Sequence, residues 1–383
     1  MKKILIFTST RADYGLLHRL IKKLKKKYVT KLVVSGSHFS KKYGETVKEI
    51  NNDKIKIFKK IKWNKFDDNN ENIVNNFSKT LTKFSLILKD NKFDLIILLG
   101  DRFETLSVAI TGHLFRIPIA HIHGGELTSG SIDDAMRHSI TKLSNLHFVS
   151  HKEYKRRVAQ LGENPNNIFV VGSLGAENIQ SINYLSKKNL EKQLNFKFLK
   201  KNILINFHPE TLNSKSEKKQ IKEILESLKK FKDINKIFTM PGIDKGSNHI
   251  SNEINKFIKK NKNSYLFKSL GYKKYFSLIK NVDFMLGNSS SGILEMPSFK
   301  KVTINLGDRQ HGRLQAESII NLDISSKKIT KTIKNFYNDK YSLRLKRTKN
   351  IYSIKNTSSK IVQILDKVNF KNLNYKKFYD LKI

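Results

Sequence analysis

The chain has 383 residues, 38% hydrophobic and 10% aromatic, which suits two ordinary domains with packed cores and excludes wholesale disorder. It has no cysteine, and this excludes disulfides, thiolate zinc sites, iron–sulfur clusters and cysteine nucleophiles. Its net charge of +41 raises nucleic acid as a partner.

In chain order, residues 4–8 read as a buried strand. Its apolar run, residues 4–7 after a basic start, is only four residues long, too short for an export signal, and no window nears the roughly 20 apolar residues of a membrane span. A cytoplasmic protein that does not engage membranes is expected. A helix over 14–26 follows, then strands at 31–35 and 94–99, the latter bounded by Gly100. A helix over 103–115 leads to a strand at 117–122, whose Pro118 fits only near a strand start. Ser131 and Asp134 form a capping-box pattern that opens a helix running to 143. A strand at 146–149, a helix at 152–161 closed by Gly162, and a strand at 168–171 closed by Gly172 complete the first half.

Residues 175–198 are polar and helical, a crossing segment. The alternation then restarts with strands at 202–207, 236–239, 265–267, 283–286 and 302–305, and helices at 216–231, 248–260 and 272–279 between them. Residues 326–383 read as mostly helical with a basic tail. Strands alternating with helices predict an α/β protein of two doubly wound, Rossmann-like lobes with a cleft between them. The expected boundaries are 1–175 for the first lobe, 176–200 for the crossing, 201–355 for the second lobe, and 356–383 for a tail packing back on the first.

Charge placement argues against nucleic acid. Lysines crowd 22–27, 187–201 and 215–232, whereas 100–150 holds only Lys142. No RNP, zinc-finger or helix-turn-helix signature accompanies them. They read as solvated faces that attract anionic substrates as a by-product.

In doubly wound sheets ligands bind just past the carboxyl ends of strands, and the polar motifs of this chain stand there. Thr8–Gly15, with Arg11, is a strand-to-helix loop suited to a phosphate or a sugar hydroxyl, or else an ordinary turn; it lacks both GxGxxG and GxxxxGK[ST]. Gly100-Asp101-Arg102 ends an apolar strand with a charged pair, costly there unless it faces a cleft, although Asp101 also suits the cap of the next helix. His121-Ile122-His123-Gly124-Gly125-Glu126 places two histidines on one face of a strand and a glutamate after a Gly-Gly turn. Acid/base work, substrate binding, metal ligation and simple packing all remain open for it. Asp133 with Arg137, and Asp134 with His138, are i,i+4 pairs, which also fits a solvated helix face.

In the second half His208 follows a strand, and the loop 241–247 carries Asp244. Gly287-Asn288-Ser289-Ser290-Ser291-Gly292 is a cradle of small residues suited to a diphosphate, with Glu295 placed to chelate the two hydroxyls of a ribose. The segment 307–313 offers Arg309 and Arg313 to phosphate or to the loop itself.

Together GDRFE (100–104), HIHGGE (121–126), IDDxxRHSITKLS (132–144), FHPET (207–211), GNSSSGxxE (287–295) and INLGDRQxGR (304–313) resemble the hydrolysing UDP-N-acetylglucosamine 2-epimerases, from residue 3 to about 367. The resemblance implies a glycosyltransferase-B-like fold, a homo-oligomer (dimer or tetramer), and no required metal or other cofactor. The implied reaction eliminates UDP from the sugar to give a 2-acetamidoglucal, then adds water to release N-acetylmannosamine. By resemblance Asp101 and Asp133 match acid/base positions, with Asp134 beside them. His208 matches a catalytic or leaving-group-contacting histidine, Glu295 a ribose ligand, and Arg11 and Arg102 substrate contacts. Ser289, Ser290, Arg309 and Arg313 would stabilise the departing diphosphate. Several relatives carry a glutamate where this chain has His123, so either His123 or Glu126 takes that role.

The same motifs fit a 2-epimerase of UDP-N,N′-diacetylbacillosamine, with sugar C4 and C6 contacts expected from the 35–43 loop. A glycosyltransferase of this fold would require an acceptor before releasing UDP. A nucleic-acid-binding protein would leave the carboxylate cluster idle.

Overall fold

The computed structural model describes residues 1–212, 216–339 and 341–381; Lys215 of the lysine-rich stretch, and Lys382 and Ile383 of the predicted tail, lie outside the described residues. The first lobe holds β1 (Lys3–Thr8), α1 (Arg11–Leu24), β2 (Val29–Ser35), α2 (Val47–Asn52), β3 (Ile57–Ile61), α3 (Asn70–Lys89), β4 (Leu95–Leu99), α4 (Phe103–Leu114), β5 (Ile119–Ile122), α5 (Asp133–Leu143), β6 (Leu146–Val149), α6 (Lys152–Gln160) and β7 (Ile168–Val170). Its seven strands lie in the order β3-β2-β1-β4-β5-β6-β7, all parallel. Parallel strands covered on both faces need near-continuous aliphatic sequence, and all five residues of β4 are buried. Alternation along β1 shows the two layers: Ile4 and Ile6 enter a core with α1, while Leu5 and Phe7 enter another with Phe84 of α3 and Val108 of α4.

Two helices, α7 (Leu174–Ser181) and α8 (Lys187–Leu194), lead into the second lobe. This comprises β8 (Lys201–Asn206), α9 (Glu217–Lys229), β9 (Ile234–Thr239), α10 (Ser247–Lys260), β10 (Ser264–Phe267), α11 (Gly271–Asn281), β11 (Phe284–Gly287), α12 (Ser290–Leu294), β12 (Val302–Leu306) and β13 (Ile319–Leu322), then α13 (Ser326–Tyr337) and α14 (Ser342–Arg347). Its strands are again parallel, in the order β10-β9-β8-β11-β12-β13. The last helix, α15 (Thr357–Lys367), returns to the first lobe, where Ile361, Val362 and Leu365 share a core with α1 and β1. Among the described residues no helix is long and apolar enough to cross a membrane.

Strand order reverses between β1 and β4 in one sheet and between β8 and β11 in the other. A crevice opens at such a switch point because the connections leave it toward opposite faces. The loops after these four strands carry Arg11, Asp101, His208 and Ser289, so the topology itself places the polar motifs opposite one another.

Residues 36–93 show no clear element pattern in sequence, yet they hold α2, β3 and α3; β13 is likewise additional. The expected Ser131–Asp134 capping box does not form. The residue preceding α5 is Ile132, with no side-chain cap, and the Asp134 carboxylate accepts from the Thr128 N–H at 2.5 Å instead.

The lobes are joined by helix caps lent across the gap. The N-terminal boundary residues of α10 and α11, Gly246 and Leu270, supply no side-chain cap. Asp68 of the first lobe accepts from the Asn248 N–H at 2.8 Å, and Glu49 from the Tyr272 N–H at 2.9 Å. A carboxylate at a helix N-terminus satisfies free N–H groups and the macrodipole, worth about 1 kcal/mol each. Glu49→Ala with Asp68→Ala should therefore shift ligand-free protein toward a more open state, read as an increased radius of gyration in small-angle X-ray scattering. An unchanged radius would count against this role.

Candidate active site

The facing switch points enclose one cavity of about 320 Å³, lined from both lobes. Arg11, Asp101, Arg102, His123, Glu126, Asp133, His208, Asp244, Ser289, Ser290, Ser291, Glu295, Arg309 and Arg313 all line it. Two sequence candidates do not. Asp134 turns to Thr128 and to His138 (3.5 Å), and Gly287 sits behind the cleft wall. Gly287 has φ +141, and a Cβ there would lie 2.0 Å from the Asn206 carbonyl oxygen, so this contact admits only glycine.

The first loop is fixed by Asp13. Its carboxylate accepts from the backbone N–H groups of Ser9 and Thr10, each at 2.8 Å, in a capping box with Thr10. That holds Arg11 pointing across the cleft, where its guanidinium donates to the carbonyls of Met240 (2.7 Å) and Lys268.

Asp101 does not cap α4; the N-cap is Arg102, without a side-chain bond. Asp101 instead pairs with Arg137, whose guanidinium is 2% exposed and also donates to the Glu126 carbonyl at 2.7 Å. Asp133 is therefore not the partner of Arg137; its carboxylate accepts from Ser131 Oγ at 3.0 Å. Burial and the neighbouring Asp244 raise the pKa of Asp133, against the pull of Arg102 and Arg309. Arg102 reaches over to the second lobe, donating to Asp244 at 3.0 Å and to the Ile243 carbonyl at 3.1 Å. Burial raises Asp244 too, but Arg102 and Arg309 outweigh it and hold it below the usual carboxylate range. Two acidic groups of one cleft are thus pushed in opposite directions, the arrangement that separates an acid from a fixed anion.

The two histidines of HIHGGE do not share a face. β5 ends at Ile122 and His123 turns off it with φ +67. His121 stays buried, within hydrogen-bonding distance of the Gly100 carbonyl (2.8 Å) and Thr141 Oγ1 (3.1 Å); burial lowers it to about 3. This is the packing reading of that motif. His123 alone faces the cavity, with Nδ1 3.1 Å from Glu126 Oε1. Glu126 is 1% exposed, and its other oxygen takes the guanidinium of Arg313 from the second lobe. Burial by itself would raise Glu126, but Arg313, His123 and Ser150 more than offset it and bring it to about 2. Gly125 permits the tight turn, since a Cβ there would lie 2.6 Å from the Tyr154 carbonyl oxygen.

On the second wall, the Asn288 side chain accepts from the His208 N–H at 2.7 Å, and burial, with Arg309 next, lowers His208 to about 3. The imidazole is neutral in this state. Ser289 caps α12 by accepting from the Ser291 N–H, and Arg309 donates to the Asn288 carbonyl at 3.3 Å. Arg313 is committed to Glu126 and Gln310 rather than to the serine loop. Tyr275 donates to Ser291 Oγ at 2.8 Å, and Ser291 donates to Glu295. Sequence reasoning missed Tyr275, which nothing in its local pattern distinguishes from a packing tyrosine.

Burial pushes Glu295 up to about 7, with Ser291 opposing, and pushes Glu49 to about 7 as well. A carboxyl whose folded pKa lies above its unfolded value contributes stability that is complete below the unfolded value of 4.5 and lost as pH rises through about 7. The Tm of wild type relative to Glu295→Gln should therefore fall as pH is raised from about 5 to about 8, the buried histidines being common to both proteins. An unaltered slope in the variant would contradict the assignment.

Two parallel α/β lobes that close loops from their switch points around one cavity define a two-lobed enzyme of glycosyltransferase-B-like architecture. Comparison with known proteins agrees. The profile of the UDP-N-acetylglucosamine 2-epimerase family matches residues 22–366. The chain is 39% identical over 385 residues to the polysialic acid biosynthesis protein P7 of Escherichia coli, covering 100% of this chain and 98% of that one. It is 43% identical over 327 residues to the GDP/UDP-N,N′-diacetylbacillosamine 2-epimerase (hydrolyzing) of Campylobacter jejuni, 85% of each chain. The fold matches the crystal structure of the Neisseria meningitidis UDP-GlcNAc 2-epimerase bound to UDP-GlcNAc with a TM-score of 0.80, at 19% identity and covering 96% of this chain and 100% of that one. The chain belongs to the UDP-N-acetylglucosamine 2-epimerase family.

Proposed function

We propose that this protein is a hydrolysing 2-epimerase that converts UDP-N-acetylglucosamine and water to N-acetylmannosamine and UDP. The observation that carries this reading is the juxtaposition in one cavity of Asp101, His123 and Asp133 from one lobe with Ser289, Ser290 and Arg309 from the other. In the first step a base removes the proton at C2. The C–H pair becomes the C1–C2 double bond, and the C1–oxygen bond breaks with its pair leaving on UDP. Charge then grows on the diphosphate, where Arg309, the serine hydroxyls and neutral His208 offer donors. In the second step water adds its hydroxyl to C1 while an acid delivers a proton to the opposite face of C2. Asp133, whose environment favours the protonated form, suits that acid. Glu295 suits the ribose diol.

A second reading, UDP-N,N′-diacetylbacillosamine as substrate, is favoured by the 43% identity to the Campylobacter jejuni enzyme. Incubation with each sugar nucleotide in D2O, followed by NMR, separates them. UDP together with N-acetylmannosamine deuterated at C2 supports the first; turnover of the diacetamido sugar alone transfers the assignment to the second. Failure of both, or UDP release only when an acceptor is added, defeats the proposal.

A further inference from the structure

We propose that Glu126 is a positioning residue: it fixes the tautomer of His123 so that Nε2 is presented as the base for the C2 proton, and Arg313 from the second lobe locks it in that task. This rests on the 2-epimerase reading above and decides between the two candidates the sequence left open.

Glu126 has no free edge to offer a substrate. Oε1 accepts from Ser150 Oγ at 2.9 Å and lies 3.1 Å from His123 Nδ1, while Oε2 is taken by Arg313. An ionised carboxylate only accepts hydrogen bonds, so the proton between the two groups sits on Nδ1. A neutral imidazole protonated there carries its lone pair on Nε2. In the protein Nε2 of His123 is enclosed and has no hydrogen-bond partner among the described residues, yet His123 lines the cavity. An unpartnered buried nitrogen on a residue that lines the ligand cavity is a candidate for a base awaiting its proton.

The backbone supports the same purpose. His123 holds φ +67, an uncommon conformation for a residue with a side chain, and its N–H donates to the Phe148 carbonyl at 3.0 Å. The charged groups around the pair are Arg313 on Glu126, Arg137 on the carbonyl of Glu126, and Glu295, just after α12, which interacts electrostatically with His123. When Nε2 takes the C2 proton, the resulting imidazolium lies against the Glu126 carboxylate. Electron flow ends on the departing UDP, and the step needs no other reactant.

The test is the tautomer of His123 in full-length protein, read by long-range proton–nitrogen NMR with 15N-histidine labelling and His123→Gln to assign the signal. Wild type should show Nδ1 protonated and Nε2 unprotonated. In Glu126→Gln the amide oxygen stays with the Arg313 guanidinium and the amide N–H faces Nδ1, which should move the proton to Nε2. It should also lower kcat about a thousandfold, with KM and UDP affinity within about threefold, and Glu126→Asp should recover part of the loss. A wild-type His123 protonated on Nε2, or an unmoved tautomer in Glu126→Gln, overturns the proposal, as does His123→Gln retaining turnover. The wild-type spectrum requires no catalysis. An Nδ1-protonated His123 in a protein inactive on both sugar nucleotides would therefore defeat the function while preserving the Glu126–His123 coupling.

Discussion

Asp133→Asn is expected to lower kcat about a thousandfold while leaving Tm unchanged or slightly raised. The two halves of this expectation have separate causes. Asp133 lines the cavity where the sugar would lie, and its environment favours the proton-bearing form, so an amide removes the group that delivers a proton to C2. The same environment makes its charge dispensable to the fold. Its carboxylate accepts from Ser131, a bond the Asn oxygen can keep, and loss of the charge relieves repulsion with Asp244. UDP affinity should stay within about threefold, since the serine loop and Arg309 are untouched. Because proton delivery is the second step, the variant should release UDP ahead of free N-acetylmannosamine and accumulate the unsaturated sugar. Equal release of both products at the wild-type rate would remove Asp133 from the mechanism.

The parts of this site legible in the sequence are those where local pattern and topology coincide. The run Leu95–Leu99 can only be a strand covered on both faces, and the charged Asp101-Arg102 pair directly after it has nowhere apolar to go but a cleft. The serine loop after β11 reads the same way. What was not legible depends on contacts far apart in sequence. Local spacing pairs Arg137 with Asp133, but the fold brings Asp101, 36 residues away, into contact with it. Alternation pairs His121 with His123 only if the strand continues, and it stops between them. The long helix α3 escaped because Asn76 and Thr80 occupy buried positions where aliphatic residues would have shown the period. β3 and β13 are sheet edges with exposed residues, and Lys59 and Lys60 on β3 blunt the apolar signal as edge lysines commonly do.

Asp101→Asn should abolish turnover, and unlike Asp133→Asn it should cost stability. Arg137 is almost wholly buried, and the carboxylate it bonds directly is Asp101; Asp134 stands farther off at 3.8 Å. Removing one partner of a buried pair leaves the other charge without compensation, at about 3 kcal/mol here because Asp134 remains near. That corresponds to a fall in Tm on the order of 5 °C. Lost activity alone would therefore not separate a chemical role from a structural one. The double variant Asp101→Asn with Arg137→Met does, because replacing a buried ion pair by a neutral, well-packed pair is often close to neutral in stability. Its Tm should return toward wild type while turnover stays absent and UDP still binds, as calorimetry would show. If turnover returns with the Tm, Asp101 serves only to hold Arg137, and the acid/base work belongs to His123 and Asp133 alone.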